Sequence, residues 1–471
     1  KRRKVMTSNS IVPVFTGPFP AEIKEDIRRL KNFVNFIAFN ADVKNRYSPQ
    51  KLQEHISYIE AKVQTLCTKV GEYDSWMSTS KILRQGSSYK GTKILKPDEL
   101  DYMPILAIFT RETVVVEDVK ENCELKDKGC VYIKVNNSTI KDNLDELCHH
   151  TPSGSYLKGG TIYLAKLREA VKWALGEIDS LTYTGEHKHK DEDQDEPYPL
   201  GNISVCEKIH GPSITLKMGA PLCTAKVDLC FSIEGRDTNL GQCAMVSANA
   251  FVESSCQCGL SSSRHWDESP INPPNKYELS ESHRELFLTF KLISHILNDT
   301  CQHLGIDTTF SVVHASSSYN IQSLVWQHQQ TCQATNVGEC YRNIVQMLNC
   351  GELDKPDELY VKVHDSPQGY LEDMFFPEVE REISPISIVG FMWFLQQVCH
   401  TESTEWWKTL FIEDDTRYND NDHLSGLCEA SNHLNELTAC FSYPPPPPIT
   451  LIQKWNNERN NQIASLTISR R

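Results

Sequence analysis

The sequence lacks any apolar run long enough to cross a bilayer. Its longest strongly apolar segment is Ile388–Leu395, whereas a membrane-spanning helix needs about 20 apolar residues. The N-terminal stretch KRRKV, followed by Met6, also lacks an apolar core of signal-peptide length. Met6 could be the true start, and residues 1–5 fit either a tag remnant or a nuclear-localisation signal. We therefore expect a cytoplasmic protein, with the nucleus as the alternative and no membrane partner.

Positive charge is also in deficit, since the formal net charge is -14. A protein that binds nucleic acid over its whole surface is usually basic, so any such contact here needs a local basic face. The 17 cysteines are odd in number and scattered along the chain. Together with the missing secretory signal, this pattern favours reduced thiols over a disulfide framework.

The length of 471 residues and the 39% hydrophobic content predict two domains or one large bilobal unit, and no internal repeat is present. We divide the chain into a flexible lead-in, a catalytic core, a crossover rich in Ser, Pro and Cys, a helical C-terminal lobe, and a proline-rich tail. These segments span 1–20, 21–253, 254–276, 277–442 and 443–471.

Apolar spacing separates helices from strands. Residues recurring at intervals of three and four, such as Ile23, Ile27, Leu30, Val34 and Ile37, predict a helix near the N-terminus. Further helices are expected at 51–70, within 161–184, and at about 280–304, 316–329, 338–350 and 386–399. Strands are expected at 103–109, 113–118, 131–135, 213–217 and 225–233. The charged tract Glu186–Glu196 is expected to be an exposed loop.

One motif has residue types that suit phosphate and metal binding. Gly86 and Ser87 are followed after eleven residues by Glu99-Leu100-Asp101. Glycine allows the backbone to approach a phosphate closely, and the serine offers a hydroxyl and an N–H to the same phosphate. Glu99 and Asp101 are two apart on an expected strand, so both point to one face. That face could hold two divalent ions.

A third carboxylate is expected on a neighbouring strand. In the stretch KVDLCFSIE, Asp228 lies between Val227 and Leu229, which point to the opposite face. A lone carboxylate in such a strand costs free energy unless it meets a cation. We therefore predict two Mg²⁺ or Mn²⁺ ions on Glu99, Asp101 and Asp228, in a two-metal site for nucleotidyl transfer. The alternative is a turn followed by a strand with a solvated acidic face.

These segments resemble a known family. The stretch GSSYKGTKILKPDELDYM is similar to the catalytic strand–turn–strand of cyclic GMP-AMP synthase and the animal cGAS-like receptors, and KVDLCFSIE is similar to their third-carboxylate strand. The resemblance implies a bilobal α+β nucleotidyltransferase fold. It would have a mixed-sheet catalytic lobe with a long N-terminal helix, and a mainly helical C-terminal lobe.

The resemblance continues, patchily, to about residue 400. It implies that Lys291, in LFLTFKLISHIL, contacts a phosphate. It further implies that Ser318 approaches the triphosphate and that Tyr319 stacks on a base. ATP and/or GTP would be joined into a cyclic dinucleotide for innate immune signalling, read by a STING-type receptor, and the enzyme could dimerise on its activator.

Two departures from the family pattern concern ligand and product. The zinc-binding insertion of the vertebrate enzyme is not visible, since Cys256-x-Cys258 with His265 does not match its spacing. We therefore expect no structural zinc, and double-stranded RNA rather than DNA as the activator. Glu278 stands where an arginine would bind a nucleotide, which leaves the base choice open.

Basic residues near the N-terminus are the candidates for RNA contact, with ordinary surface charge as the alternative. They are Lys44, Arg46, Lys51, Lys62, Lys69, Lys81 and Arg84. The stretch Ser88–Thr92 is also similar to the 2′-5′-oligoadenylate synthases, which make linear products. A silent scaffold of the same fold is the third alternative.

Overall fold

The computed structural model describes residues 27–136, 140, 144–188, 198–209, 211–247, 265–303, 317–348, 370–400 and 405–411. The described residues fall into two compact units. The sheet unit comprises Asp42–Glu278 and Phe375–Val379, and the helical unit comprises the described parts of 1–41, 279–374 and 380–471. Among the described residues, no helix is both long enough and apolar enough to cross a membrane.

The helices of the sheet unit are α2 (Val43–Arg46), α3 (Pro49–Tyr73), α4 (Gly86–Tyr89) and α5 (Thr161–Gly176). Those of the helical unit are α1 (Ile27–Ala41), α6 (Glu281–His303), α7 (Ser318–Thr331), α8 (Val337–Leu348) and α9 (Pro385–His400). The long helix α3 starts where sequence predicts a start, because the Ser48 hydroxyl accepts a hydrogen bond from the Lys51 N–H and Pro49 fits the first turn.

The strands, in chain order, are β1 (Thr79–Gln85), β2 (Glu99–Leu106), β3 (Val114–Asp118), β4 (Cys130–Val135), β5 (Cys148–Thr151), β6 (Gly154–Leu157), β7 (Thr182–His187), β8 (Asn202–Cys206), β9 (Ile214–Gly219), β10 (Thr224–Leu229), β11 (Ile233–Thr238), β12 (Gly241–Ser247), β13 (His265–Pro270), β14 (Tyr370–Glu372) and β15 (Glu380–Glu382). Only β14 and β15 belong to the helical unit.

Within the described residues of the sheet unit, the strands form two sheets. One has the order β1-β2-β10-β9-β8-β7, and the other has the order β11-β12-β13-β4-β6-β5 with β3 paired to β4. Most pairs are antiparallel, but β10 runs parallel to β2 and β7 runs parallel to β8. The mixed α/β class expected from the sequence is therefore confirmed.

The helical unit is built around aromatic side chains. Phe33 of α1 is fully buried, and its ring centroid lies 5.8 Å from those of Tyr341, Phe394 and Trp407. Tyr341 also stacks on Phe290 of α6 at 4.8 Å. Aromatic pairs at these separations add to the free energy of apolar burial. The first described helix thus packs with residues that lie far later in the chain, among them Tyr341 and Trp407.

Several elements differ from the sequence expectations. The helix expected within 161–184 ends at Gly176, and β7 follows it into the first residues of the expected charged loop. The strand expected at 225–233 is two strands, β10 and β11. The described part of the expected crossover contains β13, which pairs with both β12 and β4. Alternation of apolar residues is short or interrupted in these stretches, so the local sequence pattern does not define where each strand begins and ends. The lead-in, Cys256, Cys258 and the proline-rich tail lie outside the described residues.

Candidate metal centre

The parallel pairing of β2 with β10 brings two of the three predicted carboxylates side by side. Asp228 is the register partner of Asp101, and Glu99 lies two residues earlier on β2. Alternate residues of a strand share a face, so all three carboxylates lie on the same face of the sheet. Burial follows the same alternation in β10, where Val227 and Leu229 are fully buried on the opposite face. Glu99 and Asp101 share one strand and Asp228 lies on its neighbour, as expected, although the strand expected at 103–109 runs from Glu99 to Leu106.

The carboxylate oxygens of Glu99, Asp101 and Asp228 lie within 4.8 Å of one another. At that separation and an effective dielectric constant of about 20, each ionised pair repels by roughly 3 kcal/mol. The side chain of Asp228 is 15% exposed and that of Glu99 is 39% exposed. Three oxygen donors on one partly buried face are a ligand set that Mg²⁺ and Mn²⁺ accept.

Two lysines offset part of this repulsion. Lys93 Nζ lies 3.0 Å from Glu99 Oε2 and 2.9 Å from Asp98 Oδ1, and Lys226 Nζ lies 3.6 Å from Asp228 Oδ2. The Lys93 side chain is buried, which works against its charge, but Glu99 and Asp98 nevertheless raise its pKa above the ordinary value. The Thr215 hydroxyl donates to Asp228 Oδ1 at 2.5 Å from the adjacent strand β9.

Burial and two neighbouring carboxylates disfavour the ionised form of Asp101. Burial, followed by the charges of Glu99 and Asp228, raises the pKa of Asp101 from 3.8 to about 6. Lys93 and Lys226 lower that pKa by less than the other causes raise it. A divalent ion would reverse this balance, because it favours the ionised carboxylate.

The Gly86 turn packs directly on Asp101. Gly86 follows β1 with a φ of +74°, a conformation that glycine adopts without strain. A Cβ at this position would overlap Asp101 Oδ2, so no other residue fits without moving the carboxylate. Ser87 is the next residue of α4, and the Ser88 hydroxyl donates to the Glu99 carbonyl at 2.6 Å. The structure thus places Gly86 of the predicted motif against Asp101, with Ser87 next to it at the start of α4.

The remaining predicted nucleotide ligands belong to the helical unit. Lys291 lies on α6 with its Nζ 5.9 Å from the centre of the Phe287 ring. Ser318 is the exposed first residue of α7. The hydroxyl of Tyr319 donates to Asp373 Oδ1 at 2.9 Å, and the Arg381 guanidinium lies 5.1 Å from the centre of the Tyr319 ring. Tyr319 is therefore held in place by a buried carboxylate and a cation, and its role in stacking stays a prediction.

Three of the seven predicted basic residues form a stripe on α3. Positions 51, 62 and 69 are 11 and 7 residues apart, and at about 100° per residue they fall within roughly 20° of one another. The stripe spans about 27 Å of helix. Lys51 is exposed, Lys62 donates to Ser180 Oγ at 2.9 Å, and Lys69 pairs with Glu72 at 2.7 Å.

The other four basic residues are not on this stripe. Lys44 and Arg46 lie on the short helix α2. On β1, Lys81 pairs with Glu234 at 3.2 Å and Arg84 pairs with Glu60 at 2.8 Å. Exposed pairs of this kind contribute little stability, so RNA phosphates could compete for these cations.

Sequence reasoning missed three residues that contact the acids: Lys93, Lys226 and Thr215. Lys226 had a signal, because it lies two residues before Asp228 and therefore on the same face. Thr215 could be found only from the register of β9 against β10. His265, considered with Cys256 and Cys258, lies with its Nε2 3.4 Å from Cys123 Sγ. Glu278 follows the short helix Asn275–Tyr277 at the end of the sheet unit's main segment.

Comparison with known proteins adds no relative to this picture. No protein-family model matches the chain, and no curated protein matches it significantly. The assignment of the site therefore depends on its own geometry and on the family resemblance of its motifs.

The raised pKa of Asp101 predicts a pH-dependent effect of Asp101→Asn. Ionising Asp101 is harder in the folded than in the unfolded chain, so the stability it contributes below about pH 4 is lost as pH rises through about 6. Without metal, the variant should be more stable than wild type at pH 8, by on the order of 2 kcal/mol, and not at pH 4. Unfolding midpoints in EDTA-containing buffer measure this.

The matched control is Asp237→Asn, which removes the same charge from a side chain that is 70% exposed. It should change stability by less than about 0.5 kcal/mol at either pH. If Asp101→Asn is less stable than wild type at pH 8, the raised pKa of Asp101 is contradicted.

The packing of Gly86 predicts that Gly86→Ala weakens metal binding through Asp101. Displacing a ligand in this way typically costs ~10–100-fold in metal affinity. Manganese titration followed by electron paramagnetic resonance measures the change. The control is Gly185→Ala, because Gly185 also has a positive φ of +92° but would have open space around a Cβ. Equal loss of Mn²⁺ affinity in both variants would attribute the effect to backbone strain instead.

Proposed function

We propose that this chain is a metal-dependent nucleotidyltransferase that joins ATP and/or GTP into a cyclic dinucleotide when double-stranded RNA activates it. The observation that carries the proposal is the convergence of Glu99, Asp101 and Asp228 on one sheet face beside the Gly86 turn. Partly buried like charges at this spacing are costly unless cations offset them. The site is therefore better suited to metal-assisted phosphoryl transfer than to a solvated acidic surface.

Each residue would have a separate role in such a site. Glu99, Asp101 and Asp228 would hold the metals, and Ser87 would contact the triphosphate beside them. When bound, two divalent ions would lower the pKa of the attacking ribose hydroxyl and stabilise the charge on the leaving pyrophosphate. Thr215 fixes one oxygen of Asp228 by its hydrogen bond, and Asp228 is the candidate acceptor of the hydroxyl proton.

The proposal of a cyclic product is based on the family resemblance and not on the three carboxylates. The segments that carry Lys291, Ser318 and Tyr319 resemble the family's nucleotide-binding segments. Under this proposal Lys291 pairs with a phosphate, Ser318 approaches the triphosphate and Tyr319 stacks on a base. A STING-type receptor would read the product. Glu278 in place of an arginine leaves open which bases are joined.

A nucleotidyl-transfer assay tests the proposal. The purified chain is incubated with labelled ATP and GTP, Mn²⁺, and either long double-stranded RNA or DNA, and the products are resolved after phosphatase treatment. We expect a phosphatase-resistant cyclic product with RNA. Removing a carboxylate that holds the metals should cost several kcal/mol of transition-state stabilisation, so Asp101→Asn and Asp228→Asn should lose at least ~100-fold in rate.

The control variant is again Asp237→Asn, which should retain the wild-type rate. A ladder of linear products would instead assign the chain to the 2′-5′-oligoadenylate synthase type. If neither activator gives a product and Asp101→Asn behaves like wild type, the proposed activity is wrong. The remaining hypothesis is then a catalytically silent scaffold of the same fold.

The α3 stripe predicts how RNA binding depends on salt. Each phosphate contact contributes a slope of about -0.7 to -0.9 to log affinity against log salt. Combining Lys51→Gln, Lys62→Gln and Lys69→Gln should therefore make the slope shallower by about 2 to 3 units. The matched control replaces three lysines between β3 and β4, Lys120, Lys126 and Lys128. It should leave the slope within about 1 unit of wild type. An unchanged slope in the α3 variant would remove the stripe from the RNA interface.

A further inference from the structure

A second group of ligand-type side chains converges inside the helical unit, separate from the carboxylates. His283 lies in the first turns of α6, His328 lies in the last turn of α7, Cys332 follows α7 directly, and Cys340 lies in α8. One ligand atom from each residue lies within 4.8 Å of those of the other three. The proposed nucleotidyl transfer uses none of these four residues.

The two histidines are buried with unsatisfied ring nitrogens. Each side chain belongs to a residue that is 8% exposed, and the Nε2 atom of each ring is buried without a hydrogen-bond partner. Leaving such a group unpaired costs about 1–3 kcal/mol. Burial disfavours the protonated form of both rings and lowers the pKa of each below its ordinary value. A neutral imidazole with a free nitrogen is the form that binds metals.

The two cysteines are spaced as metal ligands rather than as a disulfide. Both thiols are free, and their sulfurs lie 3.6 Å apart. A disulfide bond is about 2.05 Å long. In a tetrahedral zinc site with Zn–S bonds of about 2.3 Å, two sulfurs lie about 3.8 Å apart. The observed separation is close to that value.

We propose that His283, His328, Cys332 and Cys340 form a structural zinc site. Two nitrogens and two sulfurs are the donor set of closed, four-coordinate zinc sites, and such sites stabilise a fold rather than catalyse a reaction. Both thiols release a proton to solvent when Zn²⁺ binds, so the ion with two thiolates and two neutral imidazoles has no net charge. A neutral group of this kind can be buried at little electrostatic cost.

A neighbouring hydroxyl supports the orientation of one ligand. Ser280 Oγ lies 2.8 Å from Nδ1 of His283. A hydrogen bond from Nδ1–H to this oxygen leaves the lone pair on Nε2, which is the unpaired atom. Zinc ligands are commonly held by such an outer hydrogen bond.

The site would connect three helices that follow one another along the described chain, α6, α7 and α8. It joins the start of α6 to the turn between α7 and α8, with Ser318 at the opposite end of α7 and Lys291 two turns further along α6. This proposal departs from the expectation of no structural zinc, which was based on the spacing of Cys256, Cys258 and His265. Here the first ligand precedes the second by 45 residues.

Metal analysis of the full-length chain tests the proposal. The chain is produced in zinc-supplemented medium, purified with a reducing agent and without chelators, and analysed by plasma mass spectrometry. We expect about one zinc per chain. X-ray absorption at the zinc edge should give two sulfurs at about 2.3 Å and two nitrogens at about 2.0–2.1 Å. This readout needs no variant.

Variants then assign the ligands. Cys332→Ser combined with Cys340→Ser should abolish the bound zinc, and cobalt substitution of this variant should lack the thiolate charge-transfer band that the wild type gives. Cys399→Ser removes another buried cysteine of the same unit, and Asp101→Asn removes a carboxylate of the other proposed metal centre. Both should retain about one zinc per chain, so the result does not depend on the proposed catalytic activity.

Three results would each overturn the site. Wild type could hold no stoichiometric zinc after reconstitution under reducing conditions. The double cysteine variant could retain a full zinc with the same absorption spectrum. Peptide mapping of the reduced protein could find Cys332 and Cys340 joined as a disulfide instead.

Discussion

The parallel register of β10 against β2 is the constraint on which the proposed active site depends. It sets Asp228 beside Asp101, with Glu99 on the same face. A shift of one residue would turn Asp228 to the opposite face, where Val227 and Leu229 are buried. The apolar residues that fix the register therefore also fix the ligand geometry. The strand pairing that stabilises the sheet therefore also positions the carboxylates.

Part of this site was predictable because it is encoded locally. Two acids separated by one residue on a strand share a face in any sheet, and the Gly86 turn lies close to them in sequence. The pairing partners were not predictable in the same way. Thr215 reaches Asp228 only because β9 lies beside β10, and Lys93 reaches Glu99 through a loop whose course no periodicity describes. Strand order, unlike strand identity, depends on contacts distant along the chain.

The second group of ligand-type side chains was even harder to predict from the sequence. It comprises His283, His328, Cys332 and Cys340. Each helix was predictable from its apolar spacing, yet the proximity of the four side chains follows only from the packing of α6, α7 and α8. The structure also places α1 with the distant C-terminal helices through Phe33. Both features depend on tertiary packing, which a single sequence does not reveal.

Lys93 and Lys226 are resident counter-ions of the carboxylates, with ammonium groups 3.0 Å from Glu99 and 3.6 Å from Asp228. Under the proposed function, a hydrated divalent ion would have to displace these ammonium groups, which would reduce its affinity. An ion chelated by a triphosphate would bring negative charge with which the displaced lysines could pair. On that proposal, the same two lysines would favour nucleotide-bound metal over the free ion.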